Sequence, residues 1–255
     1  MIAAIVCARG GSIRVPRKNA KPFCGLPLMA WSIIQAKNSH RIDRVFLSTD
    51  DDELAAIGEE YGAEIIRRPD WPDADTASGG RPIQHALEVT PEIDTFVFLL
   101  PTMPCRYPDD IDRMIEEFEQ RGLDGLWPFA FHREPCLHNY HSPGFIHRVW
   151  TEYSPEYYDH ACGMGVQTRE WVFSDQDVFT TGSDKDMWDS NYGTEMTPRA
   201  FIEFKPFQTS DCDTQEEIEF CELVLDHYIL KGRGPQIYYD YGRVYPGMAG
   251  NLKQL

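Results

Sequence analysis

The sequence is short of positive charge. Its 24 Lys and Arg stand against 41 Asp and Glu, a formal net charge of −17 over 255 residues. Such a surface repels the phosphate backbone of nucleic acid and the anionic face of a bilayer, so neither is an expected partner. Cysteine is sparse and scattered, at Cys7, Cys24, Cys105, Cys136, Cys162, Cys212 and Cys221, with no C-x-x-C. That spacing argues against a disulfide framework or a thiolate zinc site, and for a reducing compartment. No apolar run has the length of a membrane span, and the apolar opening Met1–Ala8 has no basic residue before it, so a cytoplasmic protein is expected. Two nucleotide signatures are missing as well. Without G-x-x-x-x-G-K-[ST] or G-x-G-x-x-G, P-loop hydrolysis and hydride transfer both lose ground.

What is present suits a single domain with a large core: 42% hydrophobic and 13% aromatic residues exclude disorder as the main state. Continuous apolar runs at Ile2–Ala8, Val45–Ser48, Glu64–Ile66 and Thr95–Leu100 have the character of strands buried on both faces. Helical patterns at Pro27–Lys37, Asp51–Tyr61, Arg81–Glu88 and Pro108–Gln120 alternate with them, with Thr49 and Asp50 as cap candidates for the second. This alternation predicts an α/β, doubly wound, mostly parallel sheet. From about 125 to 200 the pattern loosens into a His-, Tyr- and Trp-rich stretch, expected to be a smaller inserted lobe, with short strand-like pieces at Leu126–Phe129 and Trp171–Phe173. A strand at Phe201–Phe204 and a helix at about Gln215–Leu230 follow, then an aromatic tail.

Charge is unevenly spread. No acid occurs before Asp43, and five cations, Arg9, Arg14, Arg17, Lys18 and Lys21, fall within the segment after the first strand. In Ala8-Arg9-Gly10-Gly11-Ser12-Ile13-Arg14-Val15-Pro16-Arg17-Lys18-Asn19 the paired glycines let backbone N–H groups turn toward an anion, and the cations could neutralise a polyphosphate. The plainer alternative is a flexible basic turn. Far along the chain, Asp211 and Asp213 are two residues apart after a strand, a spacing that places both carboxylates on one face and offers hard oxygens to Mg²⁺. Asp213 with Glu216 has capping-box spacing, but Thr214 with Glu217 makes an equal box one residue on and leaves Asp213 available for metal.

The motif Ala-Arg-x-Gly-Ser-x-Arg-x-Pro-x-Lys-Asn resembles the opening of the acylneuraminate cytidylyltransferases, which make CMP-activated nonulosonic acids. The likeness runs on through Gly25-Leu26-Pro27-Leu28, Leu47-Ser48-Thr49-Asp50, Arg68-Pro69, Asp75-Thr76-Ala77-Ser78, Leu100-Pro101-Thr102 and Ser210-Asp211-Cys212-Asp213-Thr214. It implies a Rossmann-like nucleotidyltransferase acting on CTP and a small acidic sugar, with Mg²⁺ as cofactor and a homodimer formed through the central lobe. It assigns Arg9 and Lys18 to the triphosphate, together with the backbone of Ala8, Gly10, Gly11 and Ser12, and Arg14 and Asn19. Arg68, Asp75, Thr76, Ala77 and Ser78 are assigned to cytosine and ribose, and Leu100, Thr102 and Arg106 to the acceptor. Arg9, Lys18, Asp211 and Asp213 are the implied catalytic set, the two aspartates as metal ligands. Arg68-Pro69 has the alternative of merely ending a strand.

Two positions depart from the family pattern: Ile13 stands where a Lys is usual, and Leu100 where a Gln is usual. Arg14 or Arg17 is the expected replacement for the lost cation, whereas the change at Leu100 leaves nucleotide use better supported than acceptor identity. Cys162-Gly163-Met164-Gly165 is at most a weak counterpart of the sugar-pocket signature. The histidines of the lobe, His132, His138, His141, His147 and His160, lack metal-ligand spacing, and with Arg133, Arg148 and Arg169 they suit an acidic acceptor, plain loops or a subunit contact.

Overall fold

The computed structural model describes residues 1–12, 14–69, 71, 80–132, 147–151, 154–160, 163–173 and 199–242. One long sheet organises them. Strand β1 (Ile2–Cys7) lies between β4 (Arg44–Thr49) and β6 (Thr95–Leu99), parallel to both, and β5 (Glu64–Arg67) pairs parallel with β4. Beyond β6 the sheet continues with β10 (Met164–Thr168), antiparallel to both β6 and β7 (Gly125–His132). Strand β7 also carries β11 (Arg199–Phe204) in parallel and β9 (Ser154–His160) in antiparallel register, and β8 (His147–Thr151) hairpins onto β9. A two-stranded ribbon, β2 (Pro22–Phe23) and β3 (Leu26–Pro27), stands apart.

Alternation along the strands puts opposite side chains into separate cores. Ala4 and Val6 of β1 join Met29 and Ile33 of helix α1 (Leu28–Lys37) and Ile111, Met114 and Phe118 of α4 (Asp110–Arg121). Ala3 and Ile5 join Ile83 and Leu87 of α3 (Arg81–Val89) on the other face. A strand covered on both faces needs apolar residues at every position, hence the uninterrupted Ile2–Val6 run. Helix α1 is buried from Leu28 to Ala36 because it is itself an inner layer. Its far side, Leu28, Trp31 and Ile34, packs on Ile218, Cys221 and Val224 of α6 (Gln215–Val224) and on Tyr238 of α7 (Gln236–Tyr241).

The expected strands and helices of the first 121 residues are all present, with small shifts at their ends. Helix α2 (Asp52–Glu60) is capped by Asp51, whose side chain accepts from Leu54 N–H at 3.0 Å, rather than by Thr49 or Asp50. Trp171 and Val172 are helical rather than extended and Phe173 caps the helix end, since Thr168 starts the short α5 (Arg169–Val172) through Trp171 N–H. The stretch expected as an inserted lobe contributes β7 and β10, with β11 at its end, to the main sheet. Helix α6 runs into a π-helical turn over Leu225–Leu230.

Chain order decides where the functional edge lies. After β1 the chain moves outward to β4 and β5, then returns to β6 on the opposite side of β1, so the order of strand addition reverses between the parallel strands β1 and β6. Ligands of open α/β sheets bind outside the carboxyl ends of strands at such a point. The loops opening there are 8–19 after β1 and 100–106 after β6. The second is held from below by Arg106, which is wholly buried. Its guanidinium donates to Ser32 Oγ (3.0 Å), Gln35 Oε1 (2.8 Å), and the carbonyls of Leu100 (2.9 Å) and Gly163 (3.1 Å). Gly163 has a φ of +49°, and a Cβ there would lie 2.6 Å from that of Met103, so only glycine fits between the two loops.

Replacing Arg106 by Met takes a shared donor from three buried acceptors, on Ser32, Gln35 and Gly163, and from the part-buried Leu100 carbonyl. The unfolding free energy is expected to drop by about 3 kcal/mol or more. A urea unfolding midpoint equal to the parent's would show that the guanidinium does not hold this loop.

Candidate active site

The amino-terminal loop is shaped by the acids after β4. Gly10 N–H donates to Asp50 Oδ1 at 2.9 Å, and a Cβ on Gly10 would lie 2.4 Å from Asp51 Oδ2, so glycine is required for this approach to the start of α2. A Cβ on Gly11 would meet nothing within 4 Å. Arg17, in the left-handed region at φ +59°, forks onto Asp51 (2.5 and 2.9 Å) and also reaches Glu53. That pairing holds the Asp51 carboxyl down at about 2. Arg17 thus fastens the loop to α2 and is not the replacement for the cation missing at Ile13, a position outside the described residues.

Lys18 and Asn19 form a 3₁₀ turn and are both buried. Asn19 Nδ2 donates to the Arg9 carbonyl at 3.2 Å, while its Oδ1 is buried with no hydrogen-bond partner among the described residues. Lys18 Nζ lies 2.7 Å from Asp213 Oδ1, and Arg14 Nη1 pairs with Asp213 Oδ2. The cation-rich loop and the distant aspartate therefore meet in space.

The aspartate pair arrives by a route different from the one expected. It does not end a strand: β11 stops at Phe204, a 3₁₀ turn covers Pro206–Thr209, and Asp211 and Asp213 stand on the irregular segment before α6. Their proximity comes from that segment's contacts, not from strand pleating. Thr214 is the N-cap of α6, accepting from Glu217 N–H at 3.2 Å, while Glu217 Oε2 accepts from the N–H groups of Thr214 (2.7 Å) and Asp213 (3.0 Å). With that box closed one residue on, the Asp213 carboxylate is left to the cations. Cys212 N–H donates to the Thr102 carbonyl at 2.8 Å and to Asp211 Oδ1 at 2.8 Å.

Identical groups thereby acquire opposite tendencies. Burial, then the charge of Asp213, pushes the Asp211 carboxyl up to about 6, against the pull of Thr102 and Lys18. Burial also acts against ionisation of Asp213, but Lys18 and then Arg14 outweigh it and hold that carboxyl below the usual range. Two hard carboxylates beside a polyphosphate-sized cationic loop fit Mg²⁺, which takes one or two protein carboxylates and fills its shell with phosphate oxygens and water. Among the described residues no group of three or more His, Cys, Asp or Glu could hold a metal ion.

The other assigned residues divide. Arg68 lies at the same sheet edge, but donates to Ser48 Oγ (2.9 Å) and the Ser48 carbonyl (2.7 Å) and sits beside Cys7. Leu100 is 37% exposed beside the end of β1. Thr102 faces Asp211. Arg106 is corrected from acceptor ligand to loop anchor, because its guanidinium is buried. Arg169 is likewise structural, donating to the Leu87 and Thr90 carbonyls near the end of α3. Asp75, Thr76, Ala77 and Ser78 lie outside the described residues, as do Cys162, Arg133, His138 and His141. Asp50 and Asp51 were missed as loop-shaping residues; the signal was their position just after a strand and opposite the glycine pair.

A cytidylyltransferase family model matches residues 3–229. The chain belongs to the cytidylyltransferase family. Among its sequence relatives are the N-acylneuraminate cytidylyltransferase of Oncorhynchus mykiss, 32% identical over 49% of this chain and 29% of the relative, and the pseudaminic acid cytidylyltransferase of Campylobacter jejuni, 38% identical over 46% and 52%. The matched segments of the first three relatives span under a third of those proteins. In fold, the chain is similar to a CMP:2-keto-3-deoxy-manno-octonic acid synthetase complexed with CTP, with a TM-score of 0.69 at 16% identity, covering 89% of this chain and 99% of that one. Among the described residues no helix is long and apolar enough to cross a membrane.

The sign of the Asp211 shift makes a stability prediction. A carboxyl raised from 3.8 to about 6 on folding binds its proton more tightly in the folded state, so stability declines as pH rises through that window and the penalty is complete above it. Asp211→Asn keeps an acceptor for Cys212 N–H and removes the penalty. The variant is expected to melt above the parent at pH 8, with the gap closing by about pH 4. A parent that melts as high as the variant at pH 8 would refute the burial argument.

Proposed function

We propose that this protein transfers the cytidylyl group of CTP to a nonulosonic acid, releasing pyrophosphate. The observation that carries the reading is the meeting of Lys18 and Arg14 with the Asp211-Asp213 segment at the carboxyl edge of the sheet, between β1 and β6. The acceptor hydroxyl oxygen forms a bond to the α-phosphorus, the bond to the β-phosphate oxygen breaks, and the hydroxyl proton is released. Little covalent work falls to the protein, so positioning and charge stabilisation dominate.

In this reading Lys18, Arg14 and Arg9 bind the triphosphate, and the unpartnered Asn19 Oδ1 awaits a donor from the nucleotide. Asp211 and Asp213 would hold Mg²⁺, which would supply neutralisation of phosphate charge. The family match and the acylneuraminate and pseudaminic acid relatives support CTP as donor and a carboxylated sugar as acceptor. A homodimer built on the central lobe and a cytoplasmic location are part of the same reading, supported by the family resemblance and the cysteine pattern. The exposed, apolar Leu100 favours a second version, in which the acceptor is another keto-sugar acid or a phosphonate.

Pyrophosphate release from CTP and Mg²⁺ over a panel of nonulosonic acids, other keto-sugar acids and phosphonates tests both versions. Turnover with a nonulosonic acid is expected. Turnover only with another class would move the assignment to that class, and CTP binding with no turnover across the panel would reduce the protein to a nucleotide-binding module. Asp211→Asn should lower turnover by at least about 100-fold, equivalent to about 2.7 kcal/mol of transition-state stabilisation, with the fold retained.

A further inference from the structure

Both oxygens of the Asp213 carboxylate are engaged, Oδ1 by Lys18 and Oδ2 by Arg14. The two cations differ in setting. The Lys18 side chain is only 9% exposed, whereas that of Arg14 is 52% exposed and approaches Asp213 from the solvent side. Sheltered pairs persist, and solvent-facing pairs are weak and exchange readily. A divalent ion that takes Asp213 as a ligand must claim an oxygen a cation already holds, and like charges at one carboxylate repel. A polyphosphate is the natural rival for the guanidinium, since Arg pairs with phosphate oxygens by bidentate, charge-assisted hydrogen bonds.

We propose that Arg14 is a counter-ion gate on Asp213: it covers Oδ2 and yields that oxygen to a divalent cation when a polyphosphate draws the guanidinium away. The inference rests on the reading of Asp211 and Asp213 as the metal pair and of Arg14 as a phosphate ligand. Lys18 remains on Oδ1 as the fixed partner. Metal and nucleotide then favour each other beyond their mutual attraction in solution, because the anion frees the ligand the metal needs. The coupling is reciprocal by thermodynamic necessity. It also gives Arg14 a role distinct from that of the cation missing at Ile13, since here the guanidinium serves the acid pair as well as the phosphates.

The test is direct binding of Mn²⁺ to the protein without nucleotide, read from the free-ion signal in electron paramagnetic resonance. Arg14→Ala, and the length-preserving Arg14→Gln, are expected to bind Mn²⁺ at least 5-fold more tightly than the parent. Lys21→Ala removes a cation of the same segment that is not an Asp213 partner, and should change the affinity less than 2-fold. Affinity unchanged or weakened in both Arg14 variants overturns the gate. Equal tightening by Lys21→Ala also overturns it, because the effect is then one of bulk charge. Asp213→Asn should lose the site; binding equal to the parent's would remove both the metal assignment and the gate. None of these outcomes depends on pyrophosphate release, so a failure to find the acceptor is separable from a failure of the gate.

Discussion

The contact of Asp213 with Lys18 and Arg14 joins parts of the chain separated by 195 and 199 positions. Its formation requires that the first strand lie beside the sixth, that the loop after the first be turned by glycine, and that the segment after β11 cross back over the sheet edge. Each condition is met by an independent feature: two-sided burial of β1, the close approach of Gly10 to Asp51, and the Thr214–Glu217 cap that starts α6. An ion pair this distant in sequence contributes little to the choice of fold. Its value is positional, since it puts the protein's scarce cations and a crucial acid in one place, where partial burial strengthens their interaction.

The neighbouring Asp211 shows the cost of such a site. Burial beside a like charge pushes its carboxyl up to about 6, while Asp213, two residues on, is held low by its cations. A protein that needed only stability would not keep an acid at Asp211. The segment is nonetheless held in place: the Thr102 carbonyl accepts from Cys212 N–H, and the loop carrying Thr102 is fastened by the buried Arg106 and the glycine at 163. A carboxyl that burial disfavours is thus kept at the sheet edge, above a loop that Arg106 ties to Ser32, Gln35 and Gly163.

Much of this was legible in the sequence. The β-α alternation of the first 121 residues and the acid-free basic segment could be read there, because burial periodicity and local charge are properties of neighbours along the chain, whereas the aspartate pair stands before a helix and not at the end of a strand. Other features were not legible. Arg106, matched to an acceptor-binding motif, is a buried anchor, because nothing local says that Ser32, Gln35 and Gly163 surround it. Arg17 looks like its neighbour Lys18 in the sequence, yet its left-handed backbone turns it onto Asp51 and Glu53. Trp171 and Val172 read as a strand until Thr168 starts a helix there.

By itself, then, the sequence determined the doubly wound class, the acidic surface with one cationic turn, and the family, since these follow from composition, periodicity and ordered motifs. Only the tertiary structure decided which cations meet which acids, which arginines act as anchors, and how the two aspartates divide their ionisation. Those outcomes depend on distances and burial between residues far apart in the chain, and electrostatic energy is set by separation and surroundings in space.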